Sequence, residues 1–572
     1  MIRRVEGWFS SIALGVLAVG PLAALGVCAL TDIGPGGDSR ASLFPAAVLV
    51  LDPFVWTCFR DSAAVAGLAA LAAVLGGVFV GRLIGESGGP IREAAVLMLT
   101  ALAVSPPTVL ALATASVIDA SPEGRPQLPA SLGQSRFLPA DPGWPAWLLA
   151  AALPGVAAGA LSYAAALGRL DPSWRDAARL AGGAGARGWK RLAWPLLRPT
   201  MGRTAAVVFA WTLADPGPPL ILGLRRTLGS QIVLAAVGED PFPGLAFLGL
   251  LAVAACAVVR AGLRVWSGPD RLEPANGGSD LQIRREPAPS RVLAPAAILF
   301  TCSLLILAVV IGVGRGMKGI TEASASRGTT IGAVLADPTV RHVLSRSLIL
   351  GLGAALLAAV AGRLLERFAA TAGAAASGRF RRLSRLLAPP PLVAGIIVPA
   401  LARLIRLSAA SGLIAPSPAL AELAAWLDGD RVPLAAAMLA VAAAMIVARL
   451  EDRPPRTSEA NRGAALDAAV LAGAGRRRAR RLALGTAFGA GWRGLAADAA
   501  MASACIAPAV LLLASPQTAT IGPAVLLFHE RPDGGAAIAA FLAVVAWVLS
   551  VASAMIRPNP RRIASTIEGA GA

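Results

Sequence analysis

Stretches of about 20 apolar residues, the length a helix needs to cross the hydrocarbon core of a bilayer, recur twelve times along this 572-residue chain. They fall at 10–30, 63–81, 94–118, 146–167, 203–222, 242–263, 293–313, 346–365, 386–407, 431–449, 494–514 and 535–556. Backbone polar groups inside a bilayer must be satisfied within the segment that carries them, so these spans are expected to be helices. The expected fold is all-α and polytopic, with about 12 transmembrane helices. Charged residues make up only 15% of the chain, against about 25% in soluble domains. That composition argues against a large soluble enzyme, and the abundance of apolar residues argues against disorder.

The formal net charge of +19 would suggest a nucleic-acid partner if the chain were soluble. All but two of its 52 basic residues are arginines (the lysines are Lys190 and Lys318), and they lie between apolar runs rather than in one patch. Membrane orientation accounts for that distribution, and no nucleic-acid partner is expected. Arg3 and Arg4 precede the first span, and no A-x-A cleavage site follows it, so the span is read as retained rather than as a signal peptide. Positive residues on the inner side place both termini in the cytoplasm, along with the Arg-rich segments 168–202 and 450–493. Contact with lipid headgroups is the plainest role for those arginines.

The five cysteines, Cys28, Cys58, Cys256, Cys302 and Cys505, form no C-x-x-C pair and read as small core residues. His342 and His529 stand apart, and Tyr163 is the single tyrosine. No metal-ligating cluster and no cofactor are expected. No G-x4-G-K-[ST] phosphate loop occurs either, so an ATPase activity is not expected of this chain. Residues 266–292, rich in Pro, Gly and charge, read as a cytoplasmic linker. They divide the chain into residues 1–265 and 293–572, with six spans in each half.

The halves share local sequence. DAARLAGGAGARGWKRLAWPLLRP begins at Asp176, and DAAVLAGAGRRRARRLALGTAF begins at Asp467. In each, an acid precedes two alanines, and a glycine stands six residues after the acid: Asp176, Ala177, Ala178 and Gly182, then Asp467, Ala468, Ala469 and Gly473. SPPTVLAL from Ser105 and APPPLVAGI from Ala388 form a second pair in the same order.

The first segment resembles the cytoplasmic EAA loop of ABC importer permeases, E-A-A-x3-G followed after nine residues by I-x-L-P. Leu192 takes the isoleucine place, Trp194 departs from leucine, and Pro195 is in register. The second copy has Thr486 where the proline would stand. Residues 211–223, WTLADPGPPLILG, further resemble the E-T-L-A-D-F-G-T-P-L-L-L-G run of iron(III)-type permeases, with Trp211 in place of the acid and Asp215 and Gly217 kept.

The resemblance implies two six-helix permease halves fused in one chain of a bacterial inner membrane. It also implies a separate ATP-binding subunit, in two copies, docked on the EAA-like loops, and an external substrate-binding protein. Ferric iron is one cargo it implies, with thiamine, a polyamine and a phosphonate as the alternatives. For the translocation path the residues of interest are Asp215 and Asp498, acids within spans, and the prolines that interrupt spans three and nine, Pro106-Pro107 and Pro389 to Pro391 with Pro390 between them. The alternative class is a secondary transporter driven by an ion gradient, which would need ionisable residues near the midplane of broken helices.

Overall fold

The computed structural model describes residues 22–33, 39–41, 44–86, 89–119, 143–167, 194–237, 242–268, 337–371 and 535–556, with isolated positions in 387–400 and 521–525. These residues are helical apart from one antiparallel ribbon, β1 (Thr31–Ile33) with β2 (Ser39–Ala41). The helices are α1 (22–29), α2 (Phe44–Leu51), α3 (Pro53–Glu86), α4 (Gly89–Val104), α5 (Pro107–Asp119) and α6 (Gly143–Leu167). They continue with α7 (Trp194–Leu213), α8 (Gly217–Ile221), α9 (Leu228–Val237), α10 (Phe242–Ser267), α11 (Pro338–Thr371) and α12 (Gly535–Ile556).

Four helices are long and apolar enough to cross a membrane: Pro53–Gly85, Gly143–Leu167, Pro243–Ser267 and Pro338–Ala361. A fifth span is possible by length and composition if the bent pair Arg92–Val104 and Pro107–Thr114 counts as one. Large apolar side chains such as Leu75, Phe79, Val258 and Leu352 stand exposed on these helices, as a lipid-facing surface requires. The spans expected at 293–313, 431–449 and 494–514 lie outside the described residues, as do the linker beyond Gly268 and both EAA-like loops.

Helix α3 begins ten residues before its apolar run because Asp52 and Pro53 make a strong start signal. The Asp52 carboxylate accepts the amide of Phe54 at 2.8 Å, and proline at the first helical position gives up no hydrogen bond. Its inner face is a stripe of small residues, Ala69, Ala73, Gly77, Gly81 and Gly85. Against it α6 sets Gly155, Gly159 and Tyr163. A Cβ on Gly77 would lie 2.8 Å from the backbone of Gly159, one on Gly159 would strike the carbonyl oxygen of Ala73, and one on Gly81 would lie 2.6 Å from the carbonyl oxygen of Ala160. Here two backbones touch directly, the way helices associate where lipid removes the hydrophobic drive.

Helix α11 repeats the opening of α3. Asp337 accepts the amide of Thr339 at 2.8 Å, just as Asp52 accepts that of Phe54. Val340, Val343, Ala354 and Ala358 are buried where Val55, Cys58, Ala69 and Ala73 are buried in α3. The Ser62 hydroxyl accepts the amide of Leu228 at 2.8 Å. In the same register, the Ser347 hydroxyl accepts that of Ile521, also at 2.8 Å. Thr227-Leu228-Gly229 and Thr520-Ile521-Gly522 are the matching sequences.

Each serine closes a buried amide over a long sequence separation, so Ser62→Ala and Ser347→Ala should each cost about 1–3 kcal/mol by leaving that donor unpaired. Thermal unfolding of the full chain in detergent checks this. A serine whose loss leaves the melting temperature unchanged is not an anchor.

Two buried clusters join segments far apart in the sequence. Val109, Leu110 and Ala113 of α5 share a buried cluster with Ile521, Val525, Leu542 and Ala546. Val393 and Ile396, which align with Leu110 and Ala113, share another with Leu248 and Ala252 of α10. The indole of Trp547 in α12 donates to the Ser105 hydroxyl at 2.9 Å.

At the end of α10, the Arg198 guanidinium in α7 donates to the Ser267 carbonyl at 3.0 Å and lies 5.8 Å from the Trp266 ring centroid. Trp194 meets the same ring edge-on at 6.0 Å. Cys28, Cys58 and Cys256 are buried, as expected of core residues.

Candidate translocation site

Two helix breaks meet inside the first half. Between α4 and α5 the chain turns by 91°. Pro106 and Pro107 carry no amide hydrogen, so the ladder cannot run through them. The amide of Ser105 closes the end of α4 on Leu102 at 3.2 Å, and Val109 restarts on Pro106 at 3.0 Å. The Ser105 hydroxyl donates to Ala101 at 2.8 Å while accepting from Trp547.

The second break follows α7 at Ala214, Asp215 and Pro216. Asp215 turns its carboxylate back onto the chain and accepts the amide of Gly217 at 3.0 Å. The five-residue helix α8 then runs to Ile221. A turn follows it, in which Gly223 has a φ of +71°, a left-handed conformation that favours glycine. After it the Thr227 hydroxyl donates to the Ser230 hydroxyl at 2.8 Å and accepts the Ser230 amide at 3.2 Å, capping α9. The Ser230 hydroxyl donates in turn to the Leu224 carbonyl at 3.0 Å.

The two breaks are pressed together by glycines. A Cβ on Gly217 would strike the methyl of Thr108 in α5 and lie 3.3 Å from the Asp215 carboxylate. One on Gly229 would lie 2.8 Å from the backbone nitrogen of Pro216. Thr108 is only 4% exposed, and its hydroxyl has no hydrogen-bond partner. Among the described residues the other buried side-chain polar atom without a partner is the Trp147 indole nitrogen, in a separate cluster with Val65, Trp144 and Leu224. Among the described residues the one ion pair joins Arg60 and Asp61 at 2.9 Å, so no described arginine pairs with Asp215.

Of the residues singled out by sequence, Pro107 opens α5 and Asp215 occupies the second break. Pro195 stands exposed in the first turn of α7. Asp176, Ala177, Ala178, Gly182, Asp467, Ala468, Ala469, Gly473, Pro390 and Asp498 lie outside the described residues. Thr108 was not singled out, although it directly follows Pro106-Pro107. Ser62 carries no local signal. Gly77 and Gly159 do: Gly77-x3-Gly81-x3-Gly85 and Gly155-x3-Gly159 are the spacing of close helix pairs.

Among the described residues no group of three or more His, Cys, Asp or Glu side chains could hold a metal ion. Comparison with known proteins finds no matching family model, no matching curated protein and no matching solved structure.

Proposed function

We propose that this chain is the membrane permease subunit of a binding-protein-dependent ABC importer, with two six-helix permease halves fused end to end. ATP hydrolysis falls to separate subunits that dock on the loops around Asp176 to Gly182 and Asp467 to Gly473. An external binding protein delivers the cargo, and both termini lie in the cytoplasm of a bacterial inner membrane. Ferric iron is the cargo that the run around Asp215 suggests.

The observation that carries the reading is the repeated pair of anchors. Asp52 with Ser62 in α3 and Asp337 with Ser347 in α11 hold matching partners at matching distances. Residues of α12 share a buried cluster with α5, and residues of α10 share one with Val393 and Ile396. An arrangement in which one surface serves both partners is what an isologous two-fold pair produces, and two EAA-like loops supply one docking point per half. A secondary transporter has less in its favour, because Asp215 is the one acid found at a break among the described residues.

The test is purification. A tagged full-length chain extracted from its native membrane in a mild detergent should bring down a P-loop ATPase at two copies per chain. Recovery of the intact chain with no ATPase, under conditions that preserve other membrane complexes, would overturn the proposal.

A further inference from the structure

We propose that Arg198 is a positioning residue that fastens the exit of the first EAA-like loop to the end of α10, so that motion of the loop is passed to two helices rather than one. The inference rests on the permease reading, because it takes that loop as the place where an ATP-binding subunit docks.

Pro195, the last residue matched to the EAA pattern, stands in the first turn of α7, and Arg198 follows three residues later. From there α7 runs to Leu213, just before the break at Asp215. Alone, it would carry a push from the loop to that break and nowhere else. Arg198 ties it to a second helix. Its Nε donates at 3.0 Å to the Ser267 carbonyl, one of the last carbonyls of α10, which find no partner inside their own helix. The guanidinium lies 5.8 Å from the centroid of the Trp266 ring, within reach of a cation–π contact. Trp194 meets the same ring edge-on, so two residues of α7 grip one turn of α10.

Glycines let the two helices come this close. A Cβ on Gly202 would lie 3.2 Å from the Ser267 Cβ, and one on Gly268 would lie 3.2 Å from the Arg198 guanidinium. Gly268 has a φ of +72°, the left-handed conformation that closes many helices, and its amide donates to the Arg264 carbonyl at 3.0 Å. The end of α10 is thus a formed cap, and Arg198 is part of it.

The contacts farther along α10 give the clamp its consequence. Leu248 and Ala252 share a buried cluster with Val393 and Ile396. A displacement of α7 passed through Arg198 would therefore reach that segment as well as the break at Asp215. The second loop has no such residues in its sequence. In the register of Asp176 and Asp467, Trp194 aligns with Gly485 and Arg198 with Gly489, and glycine supplies neither ring nor cation.

Hydrogen exchange read by mass spectrometry tests this on the full-length chain in detergent, first alone and then with its copurified ATPase. Alone, Arg198→Gln should speed exchange at the end of α10, residues 263–268, roughly tenfold, the effect of losing a hydrogen bond from a charged group. Arg198→Lys, which keeps a cation and a donor, should restore most of the protection. Arg203→Gln removes the same charge from an exposed position of the same helix and should change nothing at α10.

With the ATPase bound, ATP and vanadate should shift exchange in the first turn of α7 and at the end of α10 together, each by roughly twofold or more. In Arg198→Gln the α7 response should remain and the α10 response should vanish. A residue that only stabilises the fold would alter resting exchange and leave the nucleotide response of α10 intact. The inference is overturned if α10 responds equally in Arg198→Gln, if its resting exchange is unchanged there, or if α7 responds without α10 in the unaltered chain. Failure of the docking reading shows separately, as recovery of the chain with no ATPase.

Discussion

Replacing Gly159 by leucine should prevent the first half from assembling. A Cβ at this position would already strike the carbonyl oxygen of Ala73, and Gly77 lies against the same backbone. No side chain stands there to swing aside, so α3 and α6 would have to separate along their length. Overpacking a core with side chains that can yield costs about 1–3 kcal/mol, and a clash with backbone should exceed that range. Gly67 in α3 is the control, because nothing lies within 4 Å of a Cβ built on it. Gly67→Leu should leave the full chain as a single symmetric peak on size-exclusion chromatography in detergent, whereas Gly159→Leu should give aggregate. Identical profiles for the two variants would show that α3 and α6 do not meet at this face.

The second large effect concerns energy coupling. If Asp176 to Gly182 docks against an ATP-binding subunit, Gly182→Trp should force the partners apart. The spans, which lie elsewhere in the chain, should insert as before. Uptake should fall tenfold or more, about 1.4 kcal/mol of lost coupling at the least, and the ATPase should wash off the membrane more readily. Gly473→Trp should act in the same direction but less completely, because its loop has Thr486 where the first has Pro195. A Gly182→Trp chain with normal expression, normal ATPase retention and full uptake would remove this loop from the docking surface.

Apolar run length is a strong signal, and it located the helices at 63–81, 146–167, 242–263, 346–365 and 535–556 from sequence. Where run and helix differ, capping explains it: Asp52-Pro53 and Asp337-Pro338 start α3 and α11 ahead of the hydropathy. The proline break before α5 was also legible, because a missing amide hydrogen is a local property. What the sequence could not show is which distant residue meets the break. Thr108 and Gly217 are brought together by tertiary packing, and Ser62 reaches an amide in α9 that no local pattern announces. The glycine contact lies between: its spacing is written in the sequence, but its partner is not.

The packing of segments far apart in the sequence bears on how the chain can change over generations. Leu110 is buried with Leu542, and Val393, its counterpart, with Leu248. Each segment is thus part of the environment against which its partner is selected. A substitution on α5 is felt by α12, and one at Val393 or Ile396 by α10. Drift is therefore freer at positions that touch neither cluster, such as Gly67, than at positions inside them. Segments locked in this way can change only in step with one another.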